Sequence, residues 1–423
     1  MILASWASVM LIARLVGRSW WAPGAFLSLV LGGSAIATTL FAPEYHMSLG
    51  ANLMLQAFAL ALLLGGAFAS VLPLHPRSHA LPTLRRTRAF FLFGLSAALI
   101  GLLATMSSLG ITASAFLDFG EFASLAQTAT RQRYVEGVEM PLYGNIASAC
   151  ILAYVAVLVI DIVATNRFRI ILTLPIAIYI LTNAIVTTRS TLVYLLITAL
   201  LAYAYAYAIK NRQSSLRPNF PAIFRRRTLL LALGVAAALV AIFVAFQMLR
   251  FGQSHARPVG EVLEYIRKWP WGSLPGFSMW WDGLAPAEAS HLPGYYTFMG
   301  VFDNLGIEPR TQGGYSGFVY LTGSEPGNIY TSFRGVLHDF GIVGGLFFLA
   351  LLGFVGGAAY YGAVFPAAVR MAAFFLVYMW LATSFIVSYW AFTGNVIAAI
   401  LTPVVLWTFS STRQNIRGSV NAN

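Results

Sequence analysis

The sequence predicts an all-α integral membrane protein with about eleven transmembrane helices and one large loop on the outer side. Of its 423 residues, 59% are hydrophobic and only 9% are charged, and the mean hydropathy is +0.75. A water-soluble globule of this composition would aggregate. A helix needs about 20 apolar residues to cross the hydrocarbon core of a bilayer, and runs of that kind recur along the chain.

Eleven apolar runs are candidates for membrane spans. The first run is short and has Arg14 near its end, and the last two are separated only by the residues around Tyr389 to Phe392. No cleavable signal peptide is expected, because the first run lacks a basic start and a small-residue cleavage site. The runs lie near residues 2–17, 24–42, 48–72, 89–109, 142–164, 169–187, 190–209, 228–249, 336–361, 367–388 and 392–410.

The placement of lysine and arginine predicts the orientation of these spans. Short basic loops stay in the cytoplasm, and three of them, within 75–88, 166–169 and 210–227, fall on the same side. With that side inside, the N-terminus is outside and the C-terminus is inside. The inner side then has a charge of about +16 and the outer side about −4. A topology shifted by one span would scatter these charges. The net charge of +12 therefore indicates orientation rather than a nucleic-acid partner.

The chain divides into three parts with no internal repeat. Residues 1–249 form transmembrane helices 1–8 with a medium outer loop at 110–141, and residues 336–423 form helices 9–11 and a cytoplasmic tail. Residues 250–335 form a large outer loop with short amphipathic helices. Loops of that length usually have a function.

The large loop contains two distinctive segments. Residues 259–269 place Val262, Ile266 and Trp269 on one helical face, which predicts an interfacial amphipathic helix. Residues 270–282 are rich in tryptophan, proline and glycine. That composition suits anchoring at headgroup depth, and it equally suits stacking against sugar rings.

The junction between this loop and the ninth span is the most informative stretch, with the sequence GNIYTSFRGVLHDFGIVGG at 327–345. Thr331 and Ser332 are good N-cap residues, so a helix is expected to begin there with its positive dipole end facing outward. Such an end favours an anion.

Arg334 and His338 are four residues apart and therefore share one face of that helix. Gly341 and Gly345 would continue this face as a smooth groove, which would suit a lipid with a phosphate headgroup. The alternative is that the glycines serve helix packing and that Arg334 pairs with a carboxylate such as Asp339.

Other outer arginines allow two interpretations. Arg189 is expected in a very short outer turn, where a charge is costly unless it is paired or lies in a water-filled cavity. Arg250 suits either a snorkelling anchor or a substrate clamp. Arg131 lies close to Glu136 and Glu139, which favours local ion pairing.

No metal or cofactor is expected from the sequence. The single cysteine, Cys150, excludes an internal disulfide and a thiolate cluster. The histidines and carboxylates lack metal-ligand spacing, and phosphate-binding and dinucleotide-binding glycine motifs are absent in a credible context.

Four segments of the sequence resemble the bacterial oligosaccharide repeat-unit polymerases, the O-antigen polymerase or Wzy family. The resemblance covers roughly the C-terminal half, and the most specific motif is N-x-Y-T followed by D-F-G at the loop-to-helix junction. The segments are TTRSTLVYLLI at 187–197, LRFGQSHARPVGEVLEYIRKWPWGSLPGF at 249–277, GYYTFMGVFDNLG at 294–306 and GNIYTSFRGVLHDFG at 327–341.

The resemblance implies a membrane glycosyltransferase of the GT-C-like type in the bacterial inner membrane. Such an enzyme would transfer a growing glycan from undecaprenyl diphosphate to a new lipid-linked repeat on the periplasmic face. Its partners would be that lipid-linked oligosaccharide, membrane lipids, and a chain-length regulator and flippase of the same pathway. The catalytic candidates implied are Arg334, His338, Asp339 and Glu325, and the substrate-binding candidates are Arg189, Arg250, Arg131, Arg257 and Tyr330.

Two other functions stay open at this point. An O-antigen ligase would share the overall plan but would transfer the glycan to a lipid A core. A flippase or transporter of the same lipid-linked oligosaccharide should have polar residues through the bundle and related halves.

Overall fold

The computed structural model describes most of the transmembrane bundle and parts of the outer segments. The described residues are 2–73, 81–111, 124, 128–129, 131, 141–186, 188–210, 241, 244–245, 267–268, 270–284, 290–311, 315, 317–322, 326–327, 330–362 and 365–411. The expected eighth span at 228–249, the outer loop at 110–141 and the expected amphipathic helix at 259–269 lie outside them, apart from isolated positions.

The described part of the chain is mostly helical, as expected for an all-α membrane protein. Seven helices precede the large loop segment. They are α1 (Ile2–Gly17), α2 (Pro23–Phe41), α3 (Leu49–Ser70), α4 (Thr87–Ser108), α5 (Leu142–Thr165), α6 (Leu174–Ile185, preceded by a 3-10 turn at Ile170–Thr173) and α7 (Arg189–Lys210).

Five helices follow, together with two short antiparallel strand pairs. The helices are α8 (Ser273–Trp281), α9 (Tyr295–Asn304), α10 (Ser332–Tyr361), α11 (Ala367–Thr383) and α12 (Thr393–Phe409). The strands are β1 (Thr83–Leu84), β2 (Val319–Tyr320), β3 (Pro326–Gly327) and β4 (Ser410–Ser411), with β1 paired to β4 and β2 paired to β3.

Six of the described helices are long and apolar enough to cross a membrane: α2, α3, α4, α5, α7 and α10. Four shorter apolar helices, α1, α6 with its 3-10 turn, α11 and α12, coincide with further expected spans. The expectation of a membrane-embedded helical protein is therefore supported, and the count of eleven spans stays a prediction.

The segments assigned to the outer side meet at one end of the bundle. His46, between α2 and α3, donates a hydrogen bond to Asp282 after α8, with 2.7 Å between Nε2 and Oδ2. Ser388 Oγ, beyond α11, donates to the carbonyl of Thr297 in α9 at 3.1 Å. The side chain of Asn304, at the end of α9, bonds to that of Thr393.

The segments assigned to the inner side meet at the other end. The backbone amide of Leu84 donates to the Asp161 carboxylate at 2.9 Å. Lys210 Nζ donates to the carbonyl of Val163 at 2.5 Å, and Arg169 bonds to Thr87 at 2.6 Å. These contacts group the described segments at two ends of the bundle, and the orientation of those ends in a membrane stays a prediction.

Helix α10 packs most extensively on α3, and glycines allow the two backbones to touch. A methyl group at Gly353 would lie 2.0 Å from the carbonyl oxygen of Leu62, and one at Gly65 would lie 1.8 Å from the carbonyl oxygen of Ala350. Small residues let helices in lipid approach closely and gain dispersion energy. This is the helix-packing role that the sequence left open for the glycines of α10.

We expect Gly353→Ala to lower the thermal stability of the purified protein, because the new methyl group would force the α3 and α10 backbones apart. Overpacking of this kind costs about 1–3 kcal/mol or more. Gly33→Ala in α2 is the matched control, since a methyl group there meets nothing within 4 Å. Equal unfolding temperatures for the two variants in detergent would contradict the assignment.

Candidate functional site

The first turn of α10 is held in place by the end of α11. Thr331 is the N-cap, as expected from the sequence, although its side chain makes no capping hydrogen bond within the described part. The amide and the hydroxyl of Ser332 both donate to the carbonyl of Ser384, at 2.9 and 3.1 Å. Both Thr331 and Ser332 are buried, so this helix end does not present its amides outward as the sequence had suggested.

Arg334 lies in this turn and is fully buried, with 0% of its surface exposed. Its Cζ lies 3.9 Å from the ring centroid of Tyr330, 4.1 Å from that of Tyr315 and 5.4 Å from that of Trp280. Each desolvated cation–π contact contributes up to about 2 kcal/mol, which offsets part of the cost of burying a charge. We call these three rings the aromatic cage.

His338 follows one turn later on the same face as Arg334 and is exposed. Its ring centroid lies 5.3 Å from that of Trp280 and 4.9 Å from that of Tyr296. Because Trp280 contacts both Arg334 and His338, the two residues border one surface. The expectation that they share a face therefore agrees with the geometry.

Asp339 points toward α9. Its carboxylate accepts hydrogen bonds from the backbone amides of Tyr296 at 3.1 Å and Thr297 at 2.6 Å, which are in the first turn of that helix. A carboxylate at a helix N-terminus satisfies amides that have no partner inside the helix and interacts favourably with the dipole. The arrangement places Asp339 as a cap for α9, and not as the partner of Arg334 that the sequence had left open.

The expected smooth groove along Arg334, His338, Gly341 and Gly345 is wrong. Gly341 has φ 64° and ψ −172°, which interrupts the helix directly after the site turn. Only glycine adopts this conformation without strain. Gly345 lies beyond the interruption, where a methyl group would meet the Phe58 ring of α3 at 3.1 Å.

Two hydrogen bonds between a histidine and a carboxylate hold the loops around this surface. Asp282 binds His46 and accepts from Ser48 Oγ at 2.8 Å, and the hydrogen bond from His46 holds the pKa of the Asp282 carboxyl below its usual range. Likewise, the hydrogen bond from His291 lowers the pKa of Glu308. Both carboxylates therefore stay ionised at lower pH than ordinary ones.

Among the remaining candidates, Tyr330 belongs to the aromatic cage, and its hydroxyl donates to the carbonyl of Gly317 at 3.0 Å. Arg131 is exposed. Arg189 begins α7 after the expected short turn, but its side chain lies outside the described part. The same is true of the whole of Arg250, Arg257 and Glu325.

No group of three metal-ligating side chains occurs among the residues that the structure describes. Sequence reasoning missed Trp280, Tyr315 and Tyr296 as neighbours of Arg334 and His338. The tryptophan-rich composition of residues 270–282 was the available signal, because it indicated stacking without naming the partner.

Comparison with protein-family models, with curated proteins and with solved structures finds no match to this chain. The fold and the geometry of the site are therefore the basis for a functional assignment.

We expect Asp339→Ala to destabilise the protein by about 1–2 kcal/mol, because it removes both acceptors for the first turn of α9. Asp339→Asn keeps one acceptor oxygen and should lie between that variant and the original protein in a thermal unfolding series. His338→Gln is the control on the neighbouring residue, and its exposed side chain predicts an unchanged unfolding temperature. A larger loss in His338→Gln than in Asp339→Ala would refute the capping role.

Proposed function

We propose that the protein is a polytopic membrane glycosyltransferase that polymerises oligosaccharide repeat units linked to undecaprenyl diphosphate. One observation supports this function best. A fully buried Arg334 and an exposed His338 both contact Trp280 at the outer end of the bundle. The resemblance of residues 327–341 to the O-antigen polymerase family agrees with this choice.

The proposed role of Arg334 is to stabilise the diphosphate that leaves. Aromatic faces hold a cation through their quadrupoles and leave its net charge in place. A preorganised charge in a site shielded from water acts more strongly on a developing anion than the same charge in bulk water. The cage covers the guanidinium, so direct contact with a diphosphate requires Tyr315 or Tyr330 to move aside.

The proposed role of His338 is that of the general base. The acceptor sugar hydroxyl would attack the anomeric carbon of the donor glycan, and its proton would pass to an imidazole nitrogen of His338. The bond from that carbon to the diphosphate would break, and the lipid diphosphate would leave with the electron pair. Asp339 suits this role less well because both of its oxygens accept amides of α9. Glu325 remains a candidate outside the described residues.

The distribution of buried charge favours an enzyme over a transporter. The buried charged side chains of the described part are Asp161, Arg334 and Arg370, and each lies in the first or last turns of its helix. A transport path for a charged substrate should instead have charged side chains near the middle of the membrane. We place the protein in the bacterial inner membrane with its N-terminus periplasmic and its C-terminus cytoplasmic.

The proposed partners follow from this role. The substrate is an undecaprenyl-diphosphate oligosaccharide that lies among membrane lipids. A flippase would supply it at the outer face, and a chain-length regulator would act on the product.

The deciding experiment is reconstitution into vesicles with one defined undecaprenyl-diphosphate oligosaccharide, followed by gel analysis. A ladder of lipid-linked products supports a polymerase. A product formed only when a lipid A core is supplied would identify a ligase. Movement of the unchanged lipid across the bilayer would identify a flippase.

Arg334→Lys and Arg334→Ala should each reduce ladder formation by at least about 100-fold, because removal of one transition-state donor has effects of that size. A lysine ammonium lacks the planar group that three aromatic rings can enclose. Arg370→Lys, at the buried arginine of the inner end, is the matched control and should retain the ladder. A normal ladder from Arg334→Ala would rule out this site.

His338→Gln should reduce the rate of ladder formation by about 100-fold to 10,000-fold, which is the usual contribution of a general base. Asp339→Asn, assayed below its unfolding temperature, should retain activity if Asp339 is only a cap. The reverse pattern, with an active His338→Gln and an inactive Asp339→Asn, would transfer the role of base to Asp339.

A further inference from the structure

A pocket of about 390 Å³ opens at the outer end of the bundle, where the beginnings of α1 and α3 meet the end of α2. Ile2 and Leu3 line it from α1, Leu49 from α3, and Met47 and Tyr45 from the segment between α2 and α3. Its volume lies in the range of about 300–1,000 Å³ that is typical of small-molecule sites.

The lining of this pocket suits a hydrocarbon chain. Thr39 and Tyr45 have the only polar side chains among the lining residues. An apolar chain that enters from the bilayer packs against this lining through dispersion contacts. Helices α2 and α3, whose ends border the pocket, are apolar enough to cross a membrane, so a lipid substrate would approach the pocket from the bilayer.

Hydrogen bonds and neighbouring residues in the chain connect the pocket to the surface with Arg334 and His338. Trp280, which borders both Arg334 and His338, is two residues before Asp282 at the end of α8. Asp282 in turn binds His46 and Ser48, on either side of the lining residue Met47. The lining residue Tyr45 also belongs to the same buried cluster as the cage residues Tyr315 and Tyr330.

The cation Arg267 lies next to Tyr45, which lines the pocket. The Arg267 guanidinium lies over the ring of Tyr45, with 5.5 Å between Cζ and the ring centroid. Arg267 also pairs with Glu44 and donates to the carbonyl of Phe41. Because Glu44 already pairs with Arg267, an anionic headgroup would compete with that carboxylate for the guanidinium.

We propose that this pocket holds the part of the polyprenyl chain that adjoins the diphosphate of the lipid-linked substrate. The inference rests on the proposed function for the identity of the lipid. The connection between the pocket and the cage favours this chain, because its diphosphate end would lie near Arg334. The acyl chains of bulk phospholipid carry no diphosphate at that position.

The test measures binding of labelled farnesyl diphosphate, geranyl diphosphate and inorganic diphosphate to the full-length protein in detergent. We expect farnesyl diphosphate to bind at least tenfold more tightly than inorganic diphosphate. Leu49→Trp and Leu3→Trp fill the pocket from two different helices, and each should remove most of this difference while inorganic diphosphate binding is unchanged. Leu64→Trp, on the exposed face of α3, is the matched control and should bind as the original protein does.

Three results would overturn the proposal. They are equal affinity for farnesyl and inorganic diphosphate, unchanged farnesyl diphosphate binding in both pocket variants that elute normally in size-exclusion chromatography, and displacement of farnesyl diphosphate by phosphatidylglycerol at similar concentration. The assay uses no sugar, so its failure is distinct from failure of the polymerase. A ladder without chain-length-dependent binding rejects the pocket alone, whereas such binding without a ladder rejects the polymerase and leaves the pocket as a polyprenyl site.

Discussion

The backbone contact between α3 and α10 is the constraint on which the rest of the outer surface depends. Glycine at 65 and at 353 lets each helix touch carbonyl oxygens of the other, so their relative height and rotation are fixed. Helix α10 brings Arg334 and His338 to the outer end. Helix α3 begins beside Ser48, which holds Asp282 and with it the helix that contains Trp280. The arginine and one wall of its cage therefore come from segments that this contact helps to hold in a fixed relative position.

The cage shows how ring quadrupoles can stabilise a buried cation. A carboxylate partner would lower the cost of burial by cancelling the charge, whereas ring quadrupoles lower it without doing so. The two arrangements have similar effects on folding and opposite effects on binding. Arg334 has three rings around it, while the nearby Asp339 is engaged with the amides of α9. With the cage closed, the guanidinium of Arg334 is fully buried, so a ligand would reach it only if a ring of the cage moves.

The sequence was sufficient for the six long apolar helices of the described part and for the helix start at Ser332, because hydropathy and cap residues act over a few neighbouring positions. It was also sufficient for the shared face of Arg334 and His338, since helical spacing determines that. It could not distinguish a carboxylate base from a helix cap at Asp339, because the amides that decide the matter are about 43 residues away along the chain. Nor could the sequence predict that Gly341 and Gly345 have different roles. A glycine that breaks a helix and one that packs against a neighbour look identical until the backbone angles and the opposite helix are known.

The interruption at Gly341 also divides α10 into a short outer part and a long apolar part. The helix that continues from Ile342 to Tyr361 has 20 residues, which corresponds to about 30 Å, the thickness of the hydrocarbon core. If that part spans the core, Gly341 lies at its boundary with the headgroups, and the turn with Arg334 and His338 lies in the headgroup layer. The diphosphate of the proposed substrate would occupy the same layer. Under the proposed function the substrate would diffuse to the protein in two dimensions, so its concentration per unit area of bilayer would set the encounter rate.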